Sequence, residues 1–167
     1  MTGRAGARWL WLSFGALLLD RATKFAIERY TSSPFFRLPI ISDIVVLVHT
    51  KNPGIAFSLF SDSSSPWLKP LLLISSGAVM ALLVWLLVTG RAGGHLATAG
   101  ISLILGGAAG NALDRLLYGG VTDFVEVRLC TYRWPAFNVA DSVITIGAVL
   151  VLIELILGGR EHSDSAD

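Results

Sequence analysis

The fold is decided by an uncharged apolar run, PLLLISSGAVMALLVWLLV, which extends from Pro70 to Val88. A helix needs about 20 predominantly apolar residues to cross the hydrocarbon core of a bilayer. A second run without formal charge extends from Leu96 to Leu113. Pro70 stands near the start of its run, where its missing N–H costs a helix little. The two runs predict an integral membrane protein.

Working outward, two further stretches approach the length of a membrane span. The four predicted spans cover residues 9–27, 68–88, 96–117 and 137–157. Arg4 and Arg8 precede the first span as in a secretory signal peptide, but no small-residue cleavage site follows it. We therefore expect an uncleaved first span and, because the number of spans is even, both termini on one side of the membrane.

The composition excludes several other classes of protein. The chain is 53% hydrophobic and 15% charged, whereas soluble domains carry about 25% charged residues. The single cysteine, Cys130, cannot form an intrachain disulfide, and the net charge of +1 gives no argument for nucleic-acid binding. The three histidines form no H-E-x-x-H motif and no Cys/His cluster, so no zinc site is predicted.

The connections 28–67 and 118–136 lie on the same side of the membrane and predict a small extramembrane platform. The β-branched run from Ile40 to Val48 predicts a strand, and Asn52-Pro53-Gly54 predicts a turn. We expect one integral-membrane domain over residues 1–167. The positive-inside rule leaves its orientation undecided, because the first connection is too long for the rule to weigh its charges.

Ionisable residues in spanning helices are candidates for function because burying them is costly. Asp20 and Lys24 are spaced i,i+4 and can pair, and Asn111 and Asp114 share a face near the end of the third span. For both pairs we favour a structural role over a functional one: an ion pair that braces the end of the first span, and a hydrogen-bond network that anchors the third.

Asp123 and Asp141 both fall near the lipid boundary on the platform side. Two carboxylates held close together share a proton, so that one can deprotonate a water while the other donates a hydrogen bond to a scissile carbonyl. This is the chemistry of an aspartic protease. Their spacing leaves a second interpretation open, in which they are two unrelated acids at helix ends.

Two further classes of function also remain open. The acids Asp20, Asp114, Asp123 and Asp141 would suit a proton or cation path, but they gather at one membrane face. A membrane scaffold with purely structural ion pairs is the third possibility. Cleavage of a substrate by the purified protein, or ion flux in liposomes, would separate the three.

Four segments, taken together and in order, resemble the lipoprotein signal peptidase family. They are DRATK at 20–24, NPGIAFS at 52–58, GGAAGNALDR at 106–115 continuing to VTDF at 121–124, and FNVADS at 137–142. They resemble the family patterns D-x-x-x-K, N-x-G-x-A-F, G-G-A-x-G-N-x-x-D-R with G-x-V-x-D-F, and F-N-x-A-D-S. Pro53 and Ile55 depart locally, where the family more often has small or polar residues, and they put the detail of the turn in doubt.

The resemblance implies an all-α membrane protein with a small β element. Its parts would be four transmembrane helices, a periplasmic β-cradle and a short helix, with both termini cytoplasmic. It implies that Asp123 and Asp141 are the catalytic dyad. It also implies a set of residues that support the site or position the substrate: Asp20, Lys24, Asn52, Gly54, Asn111, Asp114, Arg115, Asn138 and Ala140.

The implied activity is that of an aspartic endopeptidase in the bacterial cytoplasmic (inner) membrane, with its active site near the periplasmic face. Its substrate would be a prolipoprotein whose cysteine already bears a diacylglyceryl group, cut just before that cysteine to release the signal peptide. No metal or organic cofactor is implied. The expected partners are prolipoproteins and membrane lipid, with no nucleic acid, and we expect a monomer.

Overall fold

The computed structural model describes residues 7–31, 36–53 and 67–163, with the backbone alone at residues 68, 69 and 158–163. Four long helices and four strands occupy these ranges. In chain order they are α1 (Leu10–Tyr30), β1 (Arg37–Ile41), β2 (Val45–Asn52), α2 (Leu68–Thr89), α3 (His95–Tyr118), β3 (Val121–Leu129), β4 (Tyr132–Phe137) and α4 (Val139–Ser163).

Three stretches within the described residues are long and apolar enough to cross a membrane, namely Pro70–Thr89, His95–Tyr118 and Val139–Leu157. They correspond to the second, third and fourth predicted spans. α1 has the required length, but its central turns carry Asp20, Arg21 and Lys24, so it is not among the three.

α3 lies at the centre of the helical layer and packs against each of the other three helices. Glycines let the backbones of α3 and α4 come into contact. A Cβ added at Gly100 would lie 2.5 Å from the carbonyl oxygen of Gly147, and one added at Gly107 would lie 2.5 Å from that of Ala140. The glycine-rich run of α3 therefore serves close helix packing.

The four strands form one antiparallel sheet in the order β1-β2-β3-β4. The prediction of a single strand from Ile40 to Val48 was wrong, because this segment is a hairpin. β1 ends at Ile41 and the chain turns through Ser42, whose φ is 47°, before β2 begins at Val45. Serine and aspartate are turn formers, and at residues 42 and 43 they interrupt the β-branched run.

The sheet joins the helices where β2 ends and β3 begins. Gly119, with φ of 73°, ends α3 and turns the chain into β3. Thr50 is then paired with Asp123, so the acid lies at the end of the sheet nearest the helices. Phe137, predicted as the start of the fourth span, is instead the last residue of β4, and α4 starts at Val139.

Part of the predicted platform lies outside the described residues. Gly54, the segment 55–58 and the polar stretch up to residue 66 belong to this part. The short helix implied for the platform therefore stays a prediction.

Candidate active site

Asp123 and Asp141 come from different layers of the structure and are joined through Asn138. Asp123 belongs to β3 and is 3% exposed, while Asp141 is half-buried in the first turn of α4. The side-chain amide of Asn138 donates to Oδ1 of Asp123 at 2.7 Å. Its amide oxygen accepts the backbone N–H of Asp141 at 3.0 Å. One residue thus fixes both predicted catalytic acids.

Two further asparagines each hold one more carboxylate oxygen of the two acids. Asn52, the last residue of β2, donates to Oδ2 of Asp123 at 3.1 Å. Asn111 of α3 donates to Oδ1 of Asp141 at 2.8 Å. Because the donors come from different elements, the orientation of each carboxylate depends on the assembled fold.

The electrostatics of Asp123 suit a carboxyl group that holds a proton. Burial raises the pKa of Asp123 to about 6, and the nearby charge of Asp141 acts in the same direction. Hydrogen bonds from Asn52 and Asn138 and the charge of Lys24 oppose this rise in pKa but do not cancel it. The acid therefore keeps a proton at a pH where an ordinary aspartate has lost it.

Lys24 is the centre of the charged cluster beneath the two acids. It is completely buried, and its ammonium lies 2.8 Å from a carboxylate oxygen of Asp20 and 2.8 Å from one of Asp114. The predicted i,i+4 pairing is thus present, and Asp114 also pairs with Arg21. Lys24 donates in addition to Oδ1 of Asn111 at 3.0 Å, which leaves the amide nitrogen of Asn111 to face Asp141.

Arg115 and Ala140 also belong to this region. Arg115 is partly buried, donates to the backbone oxygen of Asn111 at 3.3 Å and lies within electrostatic reach of both predicted catalytic acids. Ala140 is completely buried, and its N–H donates to Oδ1 of Asp20 at 2.9 Å. Of the predicted site residues, only Gly54 lies outside the described part of the chain.

An open groove of about 320 Å³ runs along the outer side of α4 beside Asp141. Its walls are mostly apolar, with polar side chains from the first turns of α4. The lining residues are Trp134, Phe137, Asp141, Ser142, Thr145 and Ile146. An apolar groove that ends at a carboxylate can hold an extended or lipid-bearing chain next to the acid.

A cluster beside Asp123, at Thr122 of β3, was missed in the sequence analysis. The ammonium of Lys51 lies 2.7 Å from a carboxylate oxygen of Glu28 and 2.6 Å from the hydroxyl of Thr122. The same hydroxyl donates to Glu28 at 2.7 Å, and Lys51 stands 5.0 Å from the ring centre of Tyr118. The cluster ties α1, β2 and β3 together at the residue preceding Asp123. The only hint in the sequence was that Lys51 and Thr122 adjoin Asn52 and Asp123.

Among the residues that the structure describes, no group of three or more His, Cys, Asp or Glu side chains could hold a metal ion.

Comparison with known proteins places this arrangement in a family. Residues 12–157 match the family model described as Signal peptidase (SPase) II. This range contains all of the acids and amides described above.

Several relatives are similar over nearly their whole length. A protein named lipoprotein signal peptidase from Solibacter usitatus is 39% identical over 161 residues, which cover 94% of this chain and 96% of that protein. One of the same name from Pseudomonas fluorescens is 43% identical over 92% of this chain and 90% of its own length.

Two solved structures share the fold. Both are described as bacterial membrane enzymes. One has a TM-score of 0.81 at 26% identity and covers 93% of this chain and 91% of that one. The other has a TM-score of 0.76 at 27% identity and covers 89% and 92% respectively.

Proposed function

The chain belongs to the signal peptidase II family, and we propose that it is a membrane aspartic endopeptidase that removes the signal peptide from diacylglyceryl-modified prolipoproteins. The proposal rests on Asn138, whose side chain donates to the carboxylate of Asp123 and accepts the backbone N–H of Asp141. One buried amide side chain bonds to both acids, as expected if they work as a pair. If the two acids were unrelated, nothing would require this shared partner.

The proposed reaction is hydrolysis of one peptide bond by a water molecule. The ionised carboxylate takes a proton from the water while the oxygen of that water attacks the scissile carbonyl carbon. The protonated carboxyl donates to the carbonyl oxygen, and a tetrahedral intermediate forms. When the carbon–nitrogen bond breaks, the leaving nitrogen takes the proton that the first carboxylate accepted from water. A hydroxyl of the intermediate returns a proton to the second carboxylate, so the pair is again singly protonated. The raised pKa of Asp123 supports this residue as the one that carries the proton in the resting enzyme.

The proposed substrate enters from the plane of the membrane. A signal peptide forms an apolar helix in the bilayer, so it would reach the groove beside α4 by lateral diffusion. The groove is walled by Phe137 and Ile146 and ends at Asp141. The acyl chains on the substrate cysteine could remain in lipid while the bond just before that cysteine reaches the two acids. We expect the enzyme to act as a monomer.

We further propose that α1 is a fourth span. Its charged residues Asp20 and Lys24 are completely buried and paired with one another. Its large exposed side chains as far as Phe25 are apolar, as lipid contact requires, and include Trp11, Phe14, Leu18, Leu19 and Phe25. Four spans would put both termini on one side of the membrane and the sheet on the other, and we propose that the termini lie in the cytoplasm and the sheet at the periplasmic face of the inner membrane.

The chain offers a direct test of this topology. Cys130 is the sole cysteine, and it is exposed in the turn between β3 and β4. A maleimide that cannot cross membranes should label it in intact spheroplasts, and Cys130→Ser should abolish the labelling. Labelling that occurs only after the membrane is broken would place the sheet in the cytoplasm and reject the proposed orientation.

The function is tested by cleavage of a diacylglyceryl-modified prolipoprotein by the purified protein. We expect wild type to release the signal peptide, and Asp123→Asn and Asp141→Asn each to abolish release while keeping a folded protein. The same prolipoprotein without the diacylglyceryl group is the matched substrate control and should not be cut. Substantial turnover by either variant would reject the dyad. If the folded wild type cut neither substrate, the proposed peptidase function would be rejected. Ion flux in liposomes would then test the alternative of a proton or cation path.

A further inference from the structure

The first turn of α4 is held by two side chains that come from different parts of the chain. The first N–H groups of a helix have no partner within the helix and are often capped by side-chain oxygens. Asn138, immediately before α4, supplies such a cap to the N–H of Asp141 at 3.0 Å. The N–H of Ala140 is capped instead by Oδ1 of Asp20, which belongs to α1, at 2.9 Å.

The bond between Asp20 and Ala140 is sealed from solvent. Both residues have 0% exposure. The other carboxylate oxygen of Asp20 lies 2.8 Å from the ammonium of Lys24, which holds the carboxylate in place. A negative charge at the start of a helix also complements the helix dipole.

Asp20 can reach α4 only because α3 has no side chain at residue 110. A Cβ added to Gly110 would lie 2.5 Å from Oδ2 of Asp20 and 3.1 Å from its Cγ. The short Asp20 side chain has no room to yield, since one oxygen is bound to Lys24 and the other to Ala140. A methyl group at residue 110 would therefore displace the cap.

We propose that Asp20 caps the N-terminus of α4 from α1, through the space left by Gly110, and so fixes the direction in which Asp141 points. Asp20 and Gly110 are then positioning residues, since the structure gives neither a contact with Asp141 itself. The catalytic part of this inference rests on the proposed peptidase function, whereas the cap itself does not.

The first experiment compares Gly110→Ala with Gly77→Ala. Gly77 lies in α2 and has nothing within 4 Å of an added Cβ, so it is the matched control. We expect Gly110→Ala to lower kcat on the diacylglyceryl-modified prolipoprotein by roughly 10- to 100-fold, because a misplacement of about 1 Å has effects of this size. KM should stay within about threefold of wild type, since the substitution replaces no residue that lines the groove. Gly77→Ala should match wild type in both constants.

The second experiment tests whether Gly110 acts through Asp20. Asp20→Ala removes the cap, so adding Gly110→Ala to it should lower kcat no further. Asp20→Asn keeps an oxygen that can accept the N–H of Ala140, and it should retain more activity than Asp20→Ala. A double variant far worse than Asp20→Ala, or an Asp20→Asn no better than Asp20→Ala, would overturn the proposal.

A third measurement does not depend on activity. Hydrogen exchange of the amides at 139–142, measured on the full-length protein in detergent, should be roughly fivefold faster or more in Asp20→Ala and Gly110→Ala than in wild type. Unchanged exchange would reject the cap. If wild type cleaves no prolipoprotein but these amides lose protection in both variants, the proposed function fails and the cap stands.

Discussion

The side-chain nitrogen of Asn138 lies 2.7 Å from Oδ1 of Asp123 and donates a hydrogen bond to it. Asn138 is also the N-cap of α4, so a single side chain serves both the strand that carries one acid and the helix that carries the other. The hydrogen bonds of Asn138 that position the two acids therefore cannot be changed without also changing the start of α4.

Asn138→Ala should therefore lower both activity and stability. Loss of an asparagine N-cap costs about 1 kcal/mol, and Asp123 would lose one of its two amide donors. We expect kcat to fall by more than tenfold and the thermal midpoint to fall by several degrees, measured by cleavage and by thermal unfolding in detergent. Ser75→Ala is the control. It removes a hydroxyl that donates to the carbonyl oxygen of Leu72 at 3.1 Å within α2, and it should change neither kcat nor the thermal midpoint. Full activity in Asn138→Ala would contradict the role of this residue.

The raised pKa of Asp123 predicts a dependence of activity on pH. The proposed reaction needs one protonated and one ionised carboxyl group. Because burial and Asp141 raise the pKa of Asp123 to about 6, cleavage should decline as the pH rises through this value. The pH profile of kcat/KM would show the decline, and a flat profile between pH 5 and pH 8 would contradict it.

The same pKa shift predicts how stability changes with pH. An aspartate whose pKa is higher in the folded than in the unfolded protein binds more protons when folded, so its contribution to stability falls as the pH rises from about 4 to about 6. The thermal midpoint of wild type should therefore be higher at pH 5 than at pH 7. In Asp123→Asn this part of the pH dependence of the thermal midpoint should disappear. The same pH dependence in both proteins would contradict the raised pKa of Asp123.

Lys24→Met should be strongly destabilising. Lys24 is fully buried between the carboxylates of Asp20 and Asp114. Removing one partner of a buried ion pair typically costs about 3–5 kcal/mol, because the remaining charge stays in a medium of low polarity. Arg37→Met breaks an ion pair with Glu126 in which the arginine side chain is 42% exposed, and exposed pairs contribute about 0–1 kcal/mol. Equal losses in thermal midpoint for the two variants would contradict this comparison.

Gly147→Ala should disrupt the contact between α3 and α4. An added Cβ would lie 2.5 Å from the backbone oxygen of Gly100, which cannot move without shifting the helix. Overpacking of this kind costs about 1–3 kcal/mol. Gly15→Ala is the matched control in α1, since nothing lies within 4 Å of its added Cβ. A thermal midpoint no lower in Gly147→Ala than in Gly15→Ala would contradict the predicted contact.

The sequence predicted the elements whose pattern is local. An uncharged run such as Pro70–Val88 favours a membrane helix, and both ends of α2 and α3 lie within one residue of the predicted bounds. α4 starts two residues after its predicted bound and continues six residues beyond it. The pairing of Asp20 with Lys24 follows from their spacing on one helix. The strand at 40–48 was misjudged because β-branched residues on both sides of Ser42 obscured the three-residue turn at 42–44.

The contacts that complete the site could not be predicted, because they join distant parts of the chain. Glu28 and Thr122 are 94 residues apart, and nothing in either segment indicates that they meet. The fourth span was predicted to begin at Phe137, so the sequence predicted neither the cap that Asn138 makes on α4 nor its hydrogen bond to Asp123. Such contacts depend on the position of the sheet relative to the helices, which no spacing in the sequence encodes.

The close approach of Gly100 and Gly147 has a mechanical consequence for the whole molecule. Backbone contact at this depth makes α3 and α4 a single stiff body, and Asp141 moves with it. Asp123 moves with the sheet. The two predicted catalytic acids are thus carried by different parts of the structure, and in the proposed reaction a displacement of about 1 Å between them would reduce the rate by about a hundredfold. A compound wedged between sheet and helices could therefore silence the protein while leaving both carboxylates and the groove unoccupied.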